Sequence, residues 1–348
     1  MATNLPTVFC SHATAAAVAA SSWASAAAAV ATIVAVAVPA TAFAQGGAAT
    51  FPNRPLRLIV PFAPGGVSDI LGRVSAQKMG EFLGQAMIVE NRGGAGGMIG
   101  AEIAANAAPD GYTILLTSLS TFAIAPHIQR KVAYNTLTAF TGVGGIALSP
   151  NVLIVGAKEP MKTVKDVIAA ARARPGKLAY GSSGIGSIGH MASEILRGST
   201  GSEMTHVPFK SAAVAYPDVM GGSLAMVFDT LPSAMPHIKS GAVRPIVMFS
   251  ASRAPAFPDV PTIAEAGFPE ATLNFWSGLV APAGTPAAAV QRLNEVLNRA
   301  LASTDMRDRL ASVGSDPWPT TPKELDTRAR EDFERMGKVI RAAGIKDE

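Results

Sequence analysis

The chain has 348 residues, enough for two α/β domains, since single domains usually run to about 100–200 residues. Its 33 glycines and 25 prolines, with 49% hydrophobic and 16% charged residues, describe globular structure with many sharp turns and exclude a disordered chain or a coiled coil. A net charge of only +4 with no basic run argues against nucleic acid as a partner, and a single cysteine excludes a disulfide framework and a cysteine-based zinc site.

No Lys, Arg, Asp or Glu precedes Arg54, and Ala15 to Val38 is almost wholly Ala and Val with scattered Ser and Thr. The stretch closes on Pro39 and on small residues at Ala42 and Ala44, the pattern of a signal peptidase site cut after Ala44. Residues 1–44 therefore read as an export signal, although the segment before the apolar run lacks the usual Lys or Arg. A membrane anchor is the alternative, because the run is long enough to span a hydrocarbon core of about 30 Å. Alanine's weak preference for membranes and the break at Pro39 favour cleavage. The only cysteine, Cys10, lies in the leader, so the chain from Gln45 onward suits an oxidising periplasm or cell exterior.

Beyond the leader, strand-like and helix-like runs alternate, which points to parallel βαβ units. Strands are expected over 56–61, 87–90 and 113–117, with helices over 68–83 and 99–107 between them. Ile146 to Val155 carries apolar runs on either side of Ser149-Pro150 and reads as a passage from one domain to another. A second series follows: helix 163–173, strand 177–180, helix 187–197, strand 204–207, helix 211–220, strand 224–228, helix 233–239 and strand 243–249. Amphipathic helices close the chain over 286–302, with Val290, Leu293, Val296, Leu297 and Leu301 on one face, and over 323–342. No short fixed repeat occurs. The layout is two α/β lobes joined by more than one crossing, with the ligand expected in the cleft between them.

Three strand-to-helix turns are chemically suggestive. The first is Pro61-Phe62-Ala63-Pro64-Gly65-Gly66-Val67-Ser68-Asp69, the second Thr117-Ser118-Leu119-Ser120-Thr121, and the third runs from Gly181 to His190 through Ser182, Ser183, Gly186 and Ser187. Helix starts present unpaired N–H groups and partial positive charge, so two of them facing a cleft would bind an anion such as a carboxylate without Arg or Lys. Asp69 reads either as a first-turn acid favoured by the helix dipole or as a partner for a ligand ammonium. The loop Asn91-Arg92-Gly93-Gly94-Ala95-Gly96-Gly97 reads as a structural loop that lets the next helix pack closely. His190 either holds the third loop or touches ligand, His206 reads as structural and His237 as helix surface.

Gly184-Ile185-Gly186-Ser187-Ile188-Gly189 matches GxGxxG, but the next strand ends in Pro208-Phe209-Lys210 with no acid placed for a ribose, so no dinucleotide cofactor is expected. No GxSxG elbow and no HExxH spacing occur, so neither a nucleophile elbow nor a metal site is expected.

Taken in order, PFAPGGVSD, VENRGGAGGMIGA, PDGYTILLTS, PNVLIV, KLAYGSSGIGSIGHMASEIL, HVPFKSAAVAYPDVMGG, VFDTLPSAMPHIKSGAVRPI, PDVPTIAEAGFPE and FWSGLVAPAGTP resemble the solute receptors of tripartite tricarboxylate transporters, often called the Bug family. The resemblance implies a two-lobed periplasmic binding protein of type II, the Venus-flytrap fold. Its lobes would be 45–148 plus 274–348, and 149–273. It also implies a monomeric periplasmic receptor, without enzymatic activity, that closes on a small carboxylate and delivers it to integral-membrane permease subunits. Carried over residue by residue, ligand-binding roles fall on Phe62, Ala63, Pro64, Gly65, Gly66 and Asp69, with Ser118 and Ser120, from one lobe. Ser182, Ser183, Gly186, Ser187, His190 and Asp229 supply the other. Where the family reads Lys then Gly, this chain has Lys210 then Ser211. A secreted serine hydrolase using Ser187 and His190, and a ligand-loaded signalling sensor, are the competing readings.

Overall fold

The computed structural model describes residues 51–346 with the exception of Gly66; the leader, its cleavage after Ala44 and Cys10 lie outside the described residues. Strand β1 (Leu56–Val60) is apolar except for Arg57 and is buried along its length, as a strand covered on both faces must be. Helix α1 (Val67–Leu83), strand β2 (Met87–Asn91), helix α2 (Met98–Ala105) and strand β3 (Thr113–Ser118) follow close to the expected bounds. The chain then makes a π-helical turn over Ser120–Ile124 and the short helix α3 (Ala125–Ile128) before one long strand, β4 (Phe140–Gly156).

The second series is α4 (Val164–Ala173), β5 (Ala179–Ser182), α5 (Ile188–Thr200), β6 (Thr205–Pro208), α6 (Ala212–Gly221), β7 (Met226–Thr230), α7 (Leu231–Lys239) and β8 (Val243–Met248). Strand β9 (Asn274–Pro282), helices α8 (Ala287–Ala302) and α9 (Thr304–Ser312), the two-residue strand β10 (Asp316–Pro317) and helix α10 (Pro322–Ala343) complete the order.

The strands lie in the order β2-β1-β3-β9-β4-β7-β5-β6, with β8 and β10 also paired to β4. Pairs β1–β2, β1–β3, β5–β6 and β5–β7 are parallel, as alternating βαβ runs require. The middle departs from that expectation: β9 pairs antiparallel with β3 and β4, and β4 antiparallel with β7 and β8. A strand that leaves one group and a strand that comes back beside it must run in opposite directions. Strand β4 changes partners at one point, since Phe140–Pro150 pair with β9 and Asn151–Val155 with β7. The segment expected to pass between domains is thus one continuous strand that belongs to both groups.

The closing helices pack as their patterns direct. Val290, Leu293, Val296, Leu297 and Leu301 of α8 are all buried. Helix α10 begins with a reciprocal cap between Thr321 and Glu324 around Pro322, and Arg328 binds Asp332 at 2.6 Å within it. The buried indole of Trp276 on β9 donates to Asp332 at 2.8 Å, so the helix is tied to the sheet by a satisfied polar contact inside the apolar core. Among the described residues no helix is long and apolar enough to cross a membrane.

Candidate ligand-binding site

The first wall is the turn between β1 and α1, and its shape is fixed by side chains behind it. Asp69, in the first turn of α1, accepts the Gly65 N–H at 2.9 Å, which closes the turn on itself. Arg73 and Asn91 also donate to the same carboxylate, and Asn91 reaches the Phe62 carbonyl at 3.0 Å. Burial pushes the Asp69 carboxyl up, but the bonds from Arg73, Gly65 and Asn91 outweigh it and hold it below the usual carboxylate range. The loop after β2 packs directly against this turn. A side chain at Gly100 would lie 2.7 Å from the Arg92 carbonyl and 2.8 Å from Pro61, so α2 can press on the turn only through a glycine. Within the Asn91–Gly97 loop, a side chain at Gly93 would lie 3.3 Å from the Phe62 backbone carbon, so the loop too packs closely on the turn, as the sequence leads one to expect.

The second wall opens from β5. Ser187 caps α5 by accepting the His190 N–H, while its hydroxyl donates to Ser182 at 3.1 Å. Ser182 is fully buried and bonds His206 Nε2 at 2.6 Å. His190 accepts the Gly186 N–H on Nδ1 at 3.1 Å, which places its own ring proton on Nε2. The two imidazoles stack with ring centroids 4.0 Å apart. Burial pushes both down to about 4, helped at His206 by the neighbouring His190, so both are neutral at pH 7. Ser183 accepts the Ala212 N–H at 3.1 Å, which leaves its own proton free for a ligand. Asp229, at the end of β7, accepts from Tyr216 and from the Thr230 N–H, and burial pushes its carboxyl up to about 6 against the hydrogen bonds of Ser233, Tyr216 and Thr230.

Between the walls lies a cavity of about 660 Å³, inside the range usual for small-molecule sites. Of the residues expected to bind ligand, Phe62, Ala63, Pro64, Gly65, Ser183, Ser187 and Asp229 line it. The others named from the sequence do not, apart from Gly66, which lies outside the described residues. Asp69 is turned inward to hold the first loop. Ser118 is buried at the end of β3, where it accepts the Thr121 N–H, and Ser120 begins the π-helical turn. Ser182 and His190 sit behind the third loop, and Gly186, with φ of 71°, packs against Ile128. Three of these six therefore stiffen the wall by hydrogen bonds: Asp69, Ser182 and His190.

Residues not anticipated complete the lining: Val67, Ser68 and Ile70 from α1, Ile188 and Gly189 from α5, Lys210, Ser211 and Ala212 at the start of α6, Thr230, Pro232 and Ser233 at the start of α7, and Val313. Four helices thus begin on one cavity. The first N–H groups of a helix have no partner within it, and its dipole makes that end partly positive. In α5 the His190 and Met191 N–H groups are taken by Ser187, so the cavity-lining Ile188 and Gly189 carry the orphan donors. Among the described residues no group of three or more His, Cys, Asp or Glu is placed to hold a metal ion.

The chain matches the family described as tripartite tricarboxylate transporter family receptor over residues 71–345. It belongs to that receptor family. The chain is similar to protein BugT of Bordetella pertussis, 35% identical over 300 residues that cover 86% of this chain and 92% of BugT. Among solved structures, R. palustris Rpa4515 with adipate is 35% identical with a TM-score of 0.76, covering 85% of this receptor and 99% of that chain. The periplasmic binding protein BugD is 30% identical with a TM-score of 0.73, covering 86% of this receptor and 100% of that chain. The receptor therefore has the two-lobed periplasmic-binding-protein fold that its ordered motifs imply, and its family consists of solute-binding receptors.

Proposed function

We propose that this receptor captures a small organic acid in the periplasm, closes its two lobes over it, and hands it to the membrane subunits of a tripartite transporter. The observation that carries the reading is the convergence of four helix starts on one cavity that holds hydroxyl donors and a single positively charged side chain. Such a site favours a carboxylate through fixed dipoles and N–H groups. The solved structure of Rpa4515 with adipate supports the same ligand class. The lobes are 45–148 plus 274–348, and 149–273, a division supported by the change of β4 partners between Pro150 and Asn151 and by the start of β9 at Asn274. Ligand contacts to both walls would favour the closed arrangement by their difference in affinity for the two states. Export as a cleaved periplasmic protein rests on the uncharged leader ending at Ala44.

A hydrolytic pair of Ser187 and His190 has less support. The ring nitrogen Nδ1 of His190 faces the Gly186 N–H, and Ser187 meets His190 only through its backbone N–H and donates its own hydroxyl to Ser182, so no imidazole accepts directly from Ser187. The test is a thermal-shift screen of organic acids. A ligand at about a hundred times its Kd adds about 2.7 kcal/mol of stability. A rise in melting temperature with at least one acid is expected. No rise with any acid up to millimolar concentration overturns the proposal.

A further inference from the structure

We propose that Lys210 is a second anion-binding point in this cavity, selecting acids that carry a second negative charge over monoacids; the inference rests on the carboxylate-receptor reading above. Among the described residues lining the cavity, Lys210 is the only Lys or Arg. Nearby Arg73 is already committed to Asp69 and Asn91. The single carboxyl in the lining, Asp229, is held by Tyr216 and Thr230 and makes no bond to Lys210.

The backbone around Lys210 is fixed while its side chain is free. On one side Phe209 donates its N–H to the Ser182 carbonyl at 3.1 Å, and on the other Ala212 donates to Ser183 Oγ at 3.1 Å. Two bonds to the loop after β5 therefore pin the Lys210-Ser211 turn beside the hydroxyl and amide donors expected to hold the first carboxylate. Lys210 is exposed and forms no ion pair among the described residues. Ser211, which stands where the resemblance leads one to expect glycine, makes no capping bond to α6, so its hydroxyl also remains available.

Apolar side chains at Val67, Ile70, Ile188 and Val313 supply the rest of the wall. A cavity that combines fixed N–H and hydroxyl donors, apolar side chains and one exposed cation fits an acid with a second carboxylate. A monoacid of the same length would leave the ammonium unpaired, and a charge-assisted bond would be missing.

The experiment is calorimetric titration of succinate, adipate and suberate against butanoate, hexanoate and octanoate into the wild type, Lys210→Met and Lys210→Arg. The wild type is expected to bind the best-fitting diacid more tightly than its monoacid. Lys210→Met should lower diacid affinity about ten-fold, the weight of one hydrogen bond to a charged group, and leave monoacid affinity in place. Lys210→Arg should restore part of the preference. The unliganded Lys210→Met protein should melt with the wild type, because Lys210 holds nothing in the fold. Equal loss for both classes, no loss for either, or a wild type that prefers monoacids overturns the role of Lys210 while leaving the receptor reading intact. A wild type that binds none of the six acids, while another acid raises its melting temperature in the screen, likewise overturns the role of Lys210 and leaves the receptor reading intact; no response to any acid in either measurement overturns the receptor reading, and the role of Lys210 with it.

Discussion

Two glycines of α5 face opposite situations, and the same substitution in each should move stability in opposite directions. Gly189 lines the cavity at the first turn of the helix, where an added methyl group would overlap the Phe228 carbonyl oxygen and stand 2.9 Å from its carbon. Phe228 cannot yield, since its strand is paired with β4 opposite Leu153 and its ring is buried. Gly198, about two and a half turns along, has ordinary helical backbone and open space around it. Alanine gains about 1 kcal/mol over glycine within a helix. At Gly198 nothing opposes that gain, so Gly198→Ala should raise the melting temperature by about 2 °C. At Gly189, overpacking costs about 1–3 kcal/mol and offsets the gain, for a net loss of up to about 2 kcal/mol. Relief of the overlap would lift the start of α5 off β7 and displace the Ile188 and Gly189 N–H groups from the cavity. Ligand affinity should therefore fall in Gly189→Ala by about ten-fold or more, or roughly 1.4 kcal/mol, and be unchanged in Gly198→Ala. Thermal melts and titration of the best acid from the screen read both effects. A Gly189→Ala receptor as stable as Gly198→Ala, with wild-type affinity, would refute the reasoning.

Asp69→Ala removes the acceptor that closes the first loop and should weaken acid binding about ten-fold with only about 1–2 kcal/mol lost in stability, a difference that titration and denaturant melts separate. Stability should also fall as pH drops from about 6.5 toward 4. His190 and His206 have folded values of about 4, below the unfolded value near 6.5, so the unfolded chain takes up more protons in that window. His190 alone accounts for up to about 3 kcal/mol of the loss. Asp229 acts in the opposite sense, since its raised value near 6 makes the folded state the better proton acceptor between about pH 4 and 6. Asp229→Asn should therefore steepen the acid loss, and melting curves that are flat across this range would contradict the assignment.

Most elements were legible because the strands are short apolar runs bounded by Gly and Pro. Strand β9 was not, because Asn274–Pro282 runs through Gly278, whose added Cβ would lie 3.0 Å from the Gly144 carbonyl; a glycine needed for close packing looks like a turn. Helix α9 escaped because only Met306 and Leu310 of its nine residues are buried, too few to set a period. In the site, the first and third glycine-bearing turns were legible as helix starts on one cavity. Asp69, Ser182 and His190 were found beside those turns, but their inward direction depends on partners such as Asn91 and His206 that lie 22 and 24 residues away in the chain from Asp69 and Ser182. The β6–α6 and β7–α7 turns are strand-to-helix turns too, but Pro208–Ser211 and Asp229–Thr230 carry no glycine to mark them. Parallel strands β5, β6 and β7 deliver all their helix starts to one side, so Lys210, Ser211, Thr230 and Ser233 follow from the topology.

The central claim is that fixed N–H and hydroxyl donors recognise a carboxylate group. Its most direct test is calorimetric titration of the best-binding acid and of its methyl ester into the unliganded receptor. The account predicts saturable binding of the acid at one site per chain and loss of most of that affinity in the ester, which keeps the shape and removes the charge. An ester that binds as tightly as the acid would contradict it.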